Sequence, residues 1–257
     1  MFQWLKEWWC ERIISRSLIT DIEWQSAFLC LPVLHYLNED EQIKLKRLTI
    51  LFLHYKSLEV IDDLEMTTAM QLIIALQACL PILNLGLDWY GGWKSVIVYP
   101  GAFSRQSSET DEYGIVHNGR INLSGESWQK GPVILSWNDT LHLGRNDGRN
   151  VVIHELAHKL DMLNGGANGL PPLHDGLSVK QWSEVFNHAY VDFEMRLEQK
   201  ESIPIDEYAA KSPAEFFAVF SELFFEKPLI IQQYYPDVYG LLVKFYRQNP
   251  SRVANAR

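Results

Sequence analysis

Cysteine is scarce in this 257-residue chain, and the three cysteines that occur form no recognisable pattern. Cys10, Cys30 and Cys79 are odd in number, far apart, and surrounded by apolar neighbours. Cysteines of this kind are usually buried free thiols, and their spacing is that of neither a disulfide framework nor a CxxC redox pair. We therefore expect a protein of a reducing compartment, the cytoplasm.

Positive charge is also in short supply. Lysine and arginine total 23 against 32 aspartates and glutamates, which gives a formal net charge of −9. The longest basic cluster consists only of Lys44, Lys46 and Arg47. Because an acidic surface repels a phosphate backbone, we expect no direct nucleic-acid partner.

The one uncharged stretch long enough to cross a bilayer, residues 66–87, is not uniformly apolar. It contains Gln71, Gln77, Pro81 and Asn84. Polar groups are costly in lipid, so we predict a buried core helix and no membrane span. The charged residues among the first twelve likewise interrupt the apolar core that a secretory signal needs.

The order of the predicted elements is helices, then a small sheet, then helices, which indicates an α+β fold. Residues 1–90 are expected to form a mainly helical N-terminal region, and residues 91–257 the part that carries the chemistry, within one continuous globular unit. In residues 115–123, Asn118-Gly119 is suited to the turn of a β-hairpin. The predicted helices cover residues 21–31, 39–54, 149–163, 178–200 and 212–226, and the other predicted strands cover residues 96–99 and 132–137.

Tryptophan is concentrated near the N-terminus, at Trp4, Trp8, Trp9 and Trp24. One interpretation is an aromatic face packed on the body of the protein. The other is an anchor for a partner or a membrane surface. The sequence leaves both open.

The clearest chemical motif is the HExxH sequence His154-Glu155-Leu156-Ala157-His158, within the predicted helix 149–163. Histidines four residues apart on a helix point the same way, so both imidazoles can reach one tetrahedral zinc ion. Glu155 lies beside the first histidine, where a carboxylate can take a proton from an activated water. The helix is otherwise largely apolar, and these polar side chains are costly there without a role.

A catalytic zinc needs a third protein ligand and an open position. Position 164 is Asn, so the third histidine of the metzincin pattern is missing, and the cysteines all lie far upstream. A carboxylate is therefore expected. Asp161 lies on the same helix and is better placed to orient His158 from behind or to cap the helix end.

Glu215 is the stronger candidate for the third ligand, but its surroundings allow two interpretations. Ser212 and Pro213 are typical of a helix start, in which Glu215 would close a capping box with Ser212. The local sequence supports the ligand and the capping role equally. Glu222, two turns further along the same face, is the alternative ligand.

Two segments resemble the Mlc titration factor A family of zinc peptidases. They are the run from His154 to Gly165 and the later Pro213-Ala214-Glu215-Phe216-Phe217-Ala218-Val219. Matching runs at residues 77–79, 87–90, 96–100 and 132–137 extend the resemblance over roughly residues 20–250. The resemblance implies a zincin-like core, with a small mixed sheet and an active-site helix, on which the N-terminal helical region packs. It further implies that this core is gluzincin-like and related to the protease domain of lethal-factor-type toxins.

The resemblance also implies roles for individual residues. His154, His158 and Glu215 would bind one zinc ion, and Glu155 would be the general base. Tyr208 would donate a hydrogen bond to the oxyanion that forms when water attacks an amide carbonyl. The toxin motif carries a carboxylate four residues after its glutamate ligand, where this chain has Val219. The histidines must therefore be oriented from elsewhere, for which Asp161 and Glu222 are the candidates.

Family members are cytosolic peptidases with aminopeptidase-like activity that also bind Mlc, a repressor of glucose-uptake genes. The resemblance thus implies a zinc peptidase acting on a peptide substrate and linked to glucose uptake. The alternative is a regulatory binding protein that sequesters a transcription repressor and in which the zinc site is secondary. For the peptidase, one interpretation of strand 132–137 is an edge that pairs with an extended peptide. The other, more common for a strand before an active-site helix, is a purely structural strand. Asn168-Gly169 and His174 are candidates to line the cleft.

Overall fold

Helices predominate in the computed structural model, which describes residues 2–101, 103–110, 116–123, 125–127, 131–141 and 148–254. The helices are α1 (Phe2–Ile14), α2 (Asp21–Leu29), α3 (Glu39–Tyr55), α4 (Thr68–Cys79), α5 (Trp137–Leu141), α6 (Val151–Asp161), α7 (Val179–Glu198), α8 (Pro213–Glu226), α9 (Pro228–Tyr234), α10 (Pro236–Tyr246) and α11 (Ser251–Ala254). The strands are β1 (Ser57–Val60), β2 (Ser95–Tyr99), β3 (Phe103–Thr110), β4 (Val116–Leu123), β5 (Gly125–Ser127) and β6 (Val133–Ser136). The α+β class is confirmed.

The N-terminal helices begin where their caps predict. Thr20 and Glu23 form a reciprocal capping box at the start of α2, and Asn38 and Glu41 form another at the start of α3. Each box satisfies backbone N–H groups that have no partner inside the helix. The predicted bounds of both helices therefore agree with the structure to within two residues.

The uncharged stretch 66–87 forms the core helix α4, which ends at Cys79, two residues before Pro81. Eight residues of α4 are buried, among them Gln77, whose side-chain amide donates to the Ile73 carbonyl at 2.8 Å. The core interpretation is thus confirmed. Within the described ranges, no helix combines the length and the apolar character needed to cross a membrane.

A small mixed sheet packs beside these helices, with the strand order β1-β2-β6-β5. The first three strands are parallel, and β5 runs antiparallel to β6. Val96 and Val98 of β2 and Val133 and Leu135 of β6 are completely buried, which places the sheet against the core. The sequence did not predict β1, β3 or β5. Strands β1 and β5, with four and three residues, show little alternation of apolar and polar side chains.

Of the two interpretations of strand 132–137, the edge is wrong and the structural strand agrees with the sheet. β6 is paired on both sides, with β2 and with β5, so its backbone groups are already used. The physical reason is that β5 adds an antiparallel strand on the side that would otherwise be open. Among the described strands the edge on this side is β5.

The expected turn at Asn118-Gly119 is also wrong. Strands β3 and β4 do form an antiparallel pair, but Asn118 and Gly119 lie inside β4 and pair with Ser108 and Ser107. A dipeptide signal reports only which local backbone angles are tolerated, whereas the pairing of eight residues in each strand sets the register. Residues 111–115, between the two strands, lie outside the described part.

An aromatic cluster joins α7, α8 and α10. Trp182 stacks on Phe186 with ring centroids 4.3 Å apart, and Phe216 stacks on Phe220 at 3.9 Å. Phe245 of α10 meets Trp182 edge to face at 5.5 Å. Because aromatic side chains bury large areas in defined geometries, this cluster holds α8 firmly in place.

The N-terminal tryptophans divide into two groups. Trp24 is buried, whereas Trp4, Trp8 and Trp9 of α1 are 67%, 49% and 47% exposed. The packed-face interpretation therefore holds only for Trp24. The other three leave an apolar stripe at the surface, and its role as a partner or membrane anchor stays a prediction.

All three cysteines are free thiols, as expected, but only Cys79 is buried. Cys30 is exposed and Cys10 is half-buried, so the expectation of three buried thiols is wrong. Cys30 is the residue that ends α2, where the chain turns at the surface, and its apolar sequence neighbours do not cover it.

Candidate metal centre

Helix α6 carries the HExxH residues and is anchored at its first turn. The side chain of Asn150 accepts from the Ile153 N–H at 3.0 Å, which caps the helix. The amide of the same side chain donates to Gln77 on α4 at 2.7 Å and to Glu226 on α8 at 2.9 Å. The start of α6 is therefore tied both to the N-terminal helices and to α8.

The two histidines of α6 lie one helical turn apart, with their Nε2 atoms close together. Nε2 of His154 lies 3.2 Å from Nε2 of His158, and the ring centroids are 4.8 Å apart. The ring planes are close to perpendicular. Both nitrogens point to one location, as the spacing predicts.

Glu215 reaches the same location from α8. Its Oε2 lies 3.0 Å from Nε2 of His154 and 3.2 Å from Nε2 of His158. Its backbone N–H donates to Ser212 Oγ at 3.2 Å, so Ser212 caps the helix while the Glu215 carboxylate goes to the histidines. The two interpretations of Glu215 are therefore compatible, because its backbone N–H takes part in capping and its carboxylate takes part in the cluster.

These three atoms suit a metal ion. Zinc bound tetrahedrally at about 2.0–2.1 Å holds its ligand atoms roughly 3.3 Å apart, close to the 3.0–3.2 Å separations observed. His154, His158 and Glu215 form the only group of this kind among the described residues. Two imidazoles and one carboxylate are also a donor set that catalytic zinc sites use. The residues present therefore fit a metal ion.

Glu222 contacts His154 at Nδ1, the ring nitrogen opposite to the one that meets Glu215. Its Oε1 is 2.7 Å from Nδ1 of His154, and its Oε2 accepts from the backbone N–H of Asn150. Glu222 is seven residues after Glu215 and lies on the same face of α8, two turns on. A carboxylate in this position holds the ring orientation and the tautomer of a metal-binding histidine. Val219, at the position of the toxin carboxylate, is buried and apolar.

Asp161 serves the loop after α6 instead of His158. Its Oδ2 accepts from the N–H groups of Asn168 and Gly169, both at 2.8 Å. Its Oδ1 and Nδ1 of His158 are buried without a hydrogen-bond partner among the described residues. Burial raises the pKa of the Asp161 carboxyl. The two roles expected for Asp161 were to orient His158 and to cap the helix end. Its hydrogen bonds serve the helix end.

Glu155 stands between the two histidines in the chain, directly after His154, and is 4% exposed. Its Oε2 is buried without a hydrogen-bond partner in the described part of the chain. Burial raises the pKa of Glu155 to about 7, close to the value that suits a group accepting and returning a proton near neutral pH. A buried carboxylate without a partner is unfavourable for stability alone.

Tyr208 is brought to the cluster by a single 3-10 turn, Glu207–Lys211. Its hydroxyl donates to Oε1 of Glu215 at 3.3 Å, and its ring centroid lies 6.0 Å from that of His154. The ring is 40% exposed, so Tyr208 is on the open side. Burial and the neighbouring Glu215 carboxylate raise the pKa of Tyr208, which keeps the hydroxyl protonated as a donor.

Two further residues, which the sequence reading missed, hold the Tyr208 turn. Asp206 accepts from the Tyr208 N–H at 3.0 Å and forms an ion pair with Arg149 at 2.7 Å. Arg149 lies immediately before the Asn150 cap, so the start of α6 and the Tyr208 turn are joined directly. A charged pair separated by 57 residues leaves no local signal that could have revealed it.

The imidazole of His174 contacts Phe245 on α10. Its Nε2 is 2.9 Å from the Phe245 carbonyl oxygen, and its ring stacks on Phe245 with centroids 6.2 Å apart. Asn168 and Gly169 bind Asp161 through their backbones. These contacts fix the ring of His174 on α10, and the cleft-lining role of Asn168, Gly169 and His174 stays a prediction.

The site belongs to a recognisable class. Two histidines of an HExxH helix and a glutamate from a later helix form the ligand pattern of single-metal peptidases. The chain belongs to the family described as Glucose-regulated metallo-peptidase M90, whose family profile matches residues 5–247.

Relatives named "Mlc titration factor A" confirm the resemblance. Proteins of that name from Klebsiella pneumoniae, Shigella dysenteriae and Escherichia coli are each 39% identical to this chain over 247 residues. The match covers 94% of this chain and 92% of each relative. The similarity is therefore to whole proteins and is not confined to the HExxH segment.

The charges in the cluster predict how stability depends on pH once a chelator has removed any metal. Burial alone lowers the pKa of His154, but the carboxylates of Glu222 and Glu215 outweigh it and raise that pKa well above its usual value. The stabilisation is complete below the unfolded-state pKa of about 6.5 and is lost as pH rises through the folded-state pKa. Chelator-treated protein should therefore need more urea to unfold at about pH 6 than at about pH 8.

Glu222→Gln is the matched variant for this measurement. It removes the charge that raises the His154 pKa most, so the difference in urea midpoint between the two pH values should shrink. Equal midpoints at both pH values in the unsubstituted protein would contradict the interpretation. A difference of full size in the Glu222→Gln protein would assign the effect to another group.

Proposed function

We propose that this protein is a zinc-dependent peptidase whose metal ion is held by His154, His158 and Glu215. The observation that carries the proposal is the meeting of three ligand atoms from α6 and α8 within 3.2 Å of one another. The buried carboxylate of Glu155 beside them supports a catalytic site over a structural one. A structural zinc usually has four protein ligands, and the described residues supply three.

When bound, a zinc ion would polarise the scissile carbonyl and lower the pKa of a water molecule towards neutrality. Glu155 accepts the proton of the attacking water and then transfers it to the leaving amine. In the protein without metal, burial raises the pKa of Glu155 to about 7, a value at which a carboxyl group holds and releases a proton at neutral pH. Burial shields it from competing bulk water.

Tyr208 supplies the hydrogen bond to the oxygen that becomes negative during attack. Its hydroxyl already lies at the ligand cluster, 3.3 Å from Glu215, and its ring faces the open side. A donor positioned before the reaction stabilises the developing charge without reorganisation. Glu222 orients His154 from behind and so takes over the role for which Val219 is unsuited.

The remaining details of the peptidase proposal rest on the family resemblance. The aminopeptidase-like activity, the gluzincin-like architecture and the cytoplasmic location are those of the family that the sequence resembles. Three free thiols agree with a reducing compartment. The substrate is proposed to be a peptide.

The first test is Glu155→Gln in purified protein, assayed on peptide p-nitroanilides with zinc measured by elemental analysis. The variant loses only the base, so it should keep about one zinc per chain and lose roughly 100-fold or more of its hydrolysis rate. Glu184→Gln, on the exposed face of α7, is the control and should change neither value. Wild-type hydrolysis by Glu155→Gln would exclude the assigned mechanism.

The metal ligands are tested in the same assay. His154→Ala and Glu215→Ala should each lose most of the zinc, because two protein ligands hold the ion far less tightly than three. Unchanged zinc content in Glu215→Ala would remove Glu215 from the site.

Tyr208→Phe separates the oxyanion donor from metal binding. Zinc content and KM should be unchanged, while kcat should fall about 100-fold, the usual effect of losing one such donor. Tyr55→Phe on α3 is the matched control, since this tyrosine is 46% exposed, packs edge to face on His54 and lies on a helix that carries no proposed ligand. A fall in zinc content equal to the fall in kcat would assign Tyr208 to the structure of the site instead.

The alternative function is that of a regulatory protein that sequesters a transcription repressor. The name of the relatives and the exposed stripe of Trp4, Trp8 and Trp9 favour it. Charged residues are sparse at interface centres, and tryptophan is enriched there, so this stripe suits a protein partner. The two functions can coexist, because α1 carries the stripe while α6 and α8 carry the metal ligands.

Purified Mlc repressor distinguishes the two functions in a pull-down with this protein. If binding is independent of catalysis, Glu155→Gln should capture as much repressor as the unsubstituted protein. A Trp4→Ser, Trp8→Ser, Trp9→Ser triple variant should capture less, with its hydrolysis unchanged. Equal capture by the triple variant would place the repressor elsewhere, and no capture by any variant would leave the peptidase as the sole function.

A further inference from the structure

Gly169, in the loop that follows α6, touches three helices at once. Its N–H donates to Oδ2 of Asp161 at the end of α6, at 2.8 Å. Its carbonyl oxygen accepts from Nε1 of Trp182 on α7, at 2.9 Å. Its Cα faces Pro213, the first residue of α8, so closely that an added Cβ would lie 2.5 Å from the Pro213 carbonyl oxygen.

The loop side of this contact is firmly held. Asp161 is completely buried, and its Oδ2 also accepts from Asn168 at 2.8 Å. Trp182 is 1% exposed and stacks on Phe186 within the aromatic cluster. A side chain at position 169 would meet the backbone carbonyl of Pro213 and the Cβ of its ring, and no flexible group that could move away.

The contact lies within one helical turn of two proposed metal ligands. Asp161 is three residues after His158 on α6, and Pro213 is two residues before Glu215 on α8. Ser212 fixes the backbone of Glu215 relative to that first turn. A shift of Pro213 would consequently move Glu215 with it.

We propose that Gly169 is a positioning residue for the metal centre, a spacer without a side chain that sets the separation of His158 and Glu215. This inference rests on the proposed zinc site. The magnitudes favour it: the added Cβ would be 0.9 Å short of the 3.4 Å at which ordinary contact begins. Metal–ligand distances vary by only about 0.2 Å between well-formed sites, so a fraction of that displacement disturbs the site.

The test compares alanine at three glycines of the full chain. Gly169→Ala introduces both the clash and a strained backbone, since φ is +79°. Gly176→Ala introduces the strain alone, since φ is +92° with no atom within 4 Å of the added Cβ. Gly166→Ala introduces neither. The difference between the first two variants isolates the contact with Pro213.

The readouts are the dissociation constants for Zn²⁺ and for the larger Cd²⁺, measured by competition with a chromophoric chelator. Thermal unfolding of the chelator-treated proteins gives their stability. Gly169→Ala should bind Zn²⁺ at least about tenfold more weakly than Gly176→Ala, the size of effect known for residues that support ligands. Its preference should also shift towards Cd²⁺, because a widened site suits longer metal–ligand bonds. A general loss of stability would weaken the binding of both ions by the same factor and leave their ratio unchanged.

Equal Zn²⁺ affinity in Gly169→Ala and Gly176→Ala, or an unchanged ratio of the two dissociation constants, would overturn the inference and leave the peptidase proposal intact. Failure of the unsubstituted protein to bind Zn²⁺ would overturn both. If Gly169→Ala does not fold, Trp182→Phe is measured instead. This variant removes the donor to the Gly169 carbonyl. The ratio of the Zn²⁺ and Cd²⁺ dissociation constants should shift in the same direction. An unchanged ratio in Trp182→Phe would also reject the role of Gly169 as a spacer.

Discussion

The meeting of the Glu215 carboxylate with two imidazoles from another helix is the contact on which the rest of the structure depends. Groups of this kind are unfavourable in a buried setting unless charge and hydrogen bonds compensate one another. Glu222 supplies part of that compensation from behind His154. The fold therefore has to hold α6 and α8 at one separation, and much of the surrounding packing serves that requirement.

Three kinds of contact maintain the separation. Asn150 joins the start of α6 to α4 and α8 through its side-chain amide. The aromatic cluster around Trp182 holds α8 against α7 and α10. The Gly169 loop fills the gap between the end of α6 and the start of α8. The sheet and the N-terminal helices form the body on which these contacts rest.

The chemistry and the exposed aromatic stripe occupy different parts of the chain, which agrees with a protein that has two functions. Helices α6 and α8 and the turn of Tyr208 form the proposed metal centre, whereas Trp4, Trp8 and Trp9 lie on α1. Because α1 carries none of the ligand residues, a partner bound there need not compete with a peptide. The family description links peptidase chemistry with glucose regulation, and the two proposed functions correspond to these two parts.

The motif helix, its histidines and the main helical segments could be predicted from local patterns, because helix caps and a four-residue ligand spacing act over a few residues. The pairing of β6 on both sides, the register of β4 and the exposure of Cys30 could not, since each depends on which distant segment comes alongside. For Glu215 the family resemblance predicted the ligand role, but the local sequence supported capping equally. Its sequence is that of a capped helix start, and only the packing of α8 on α6 turned its carboxylate towards His154 and His158.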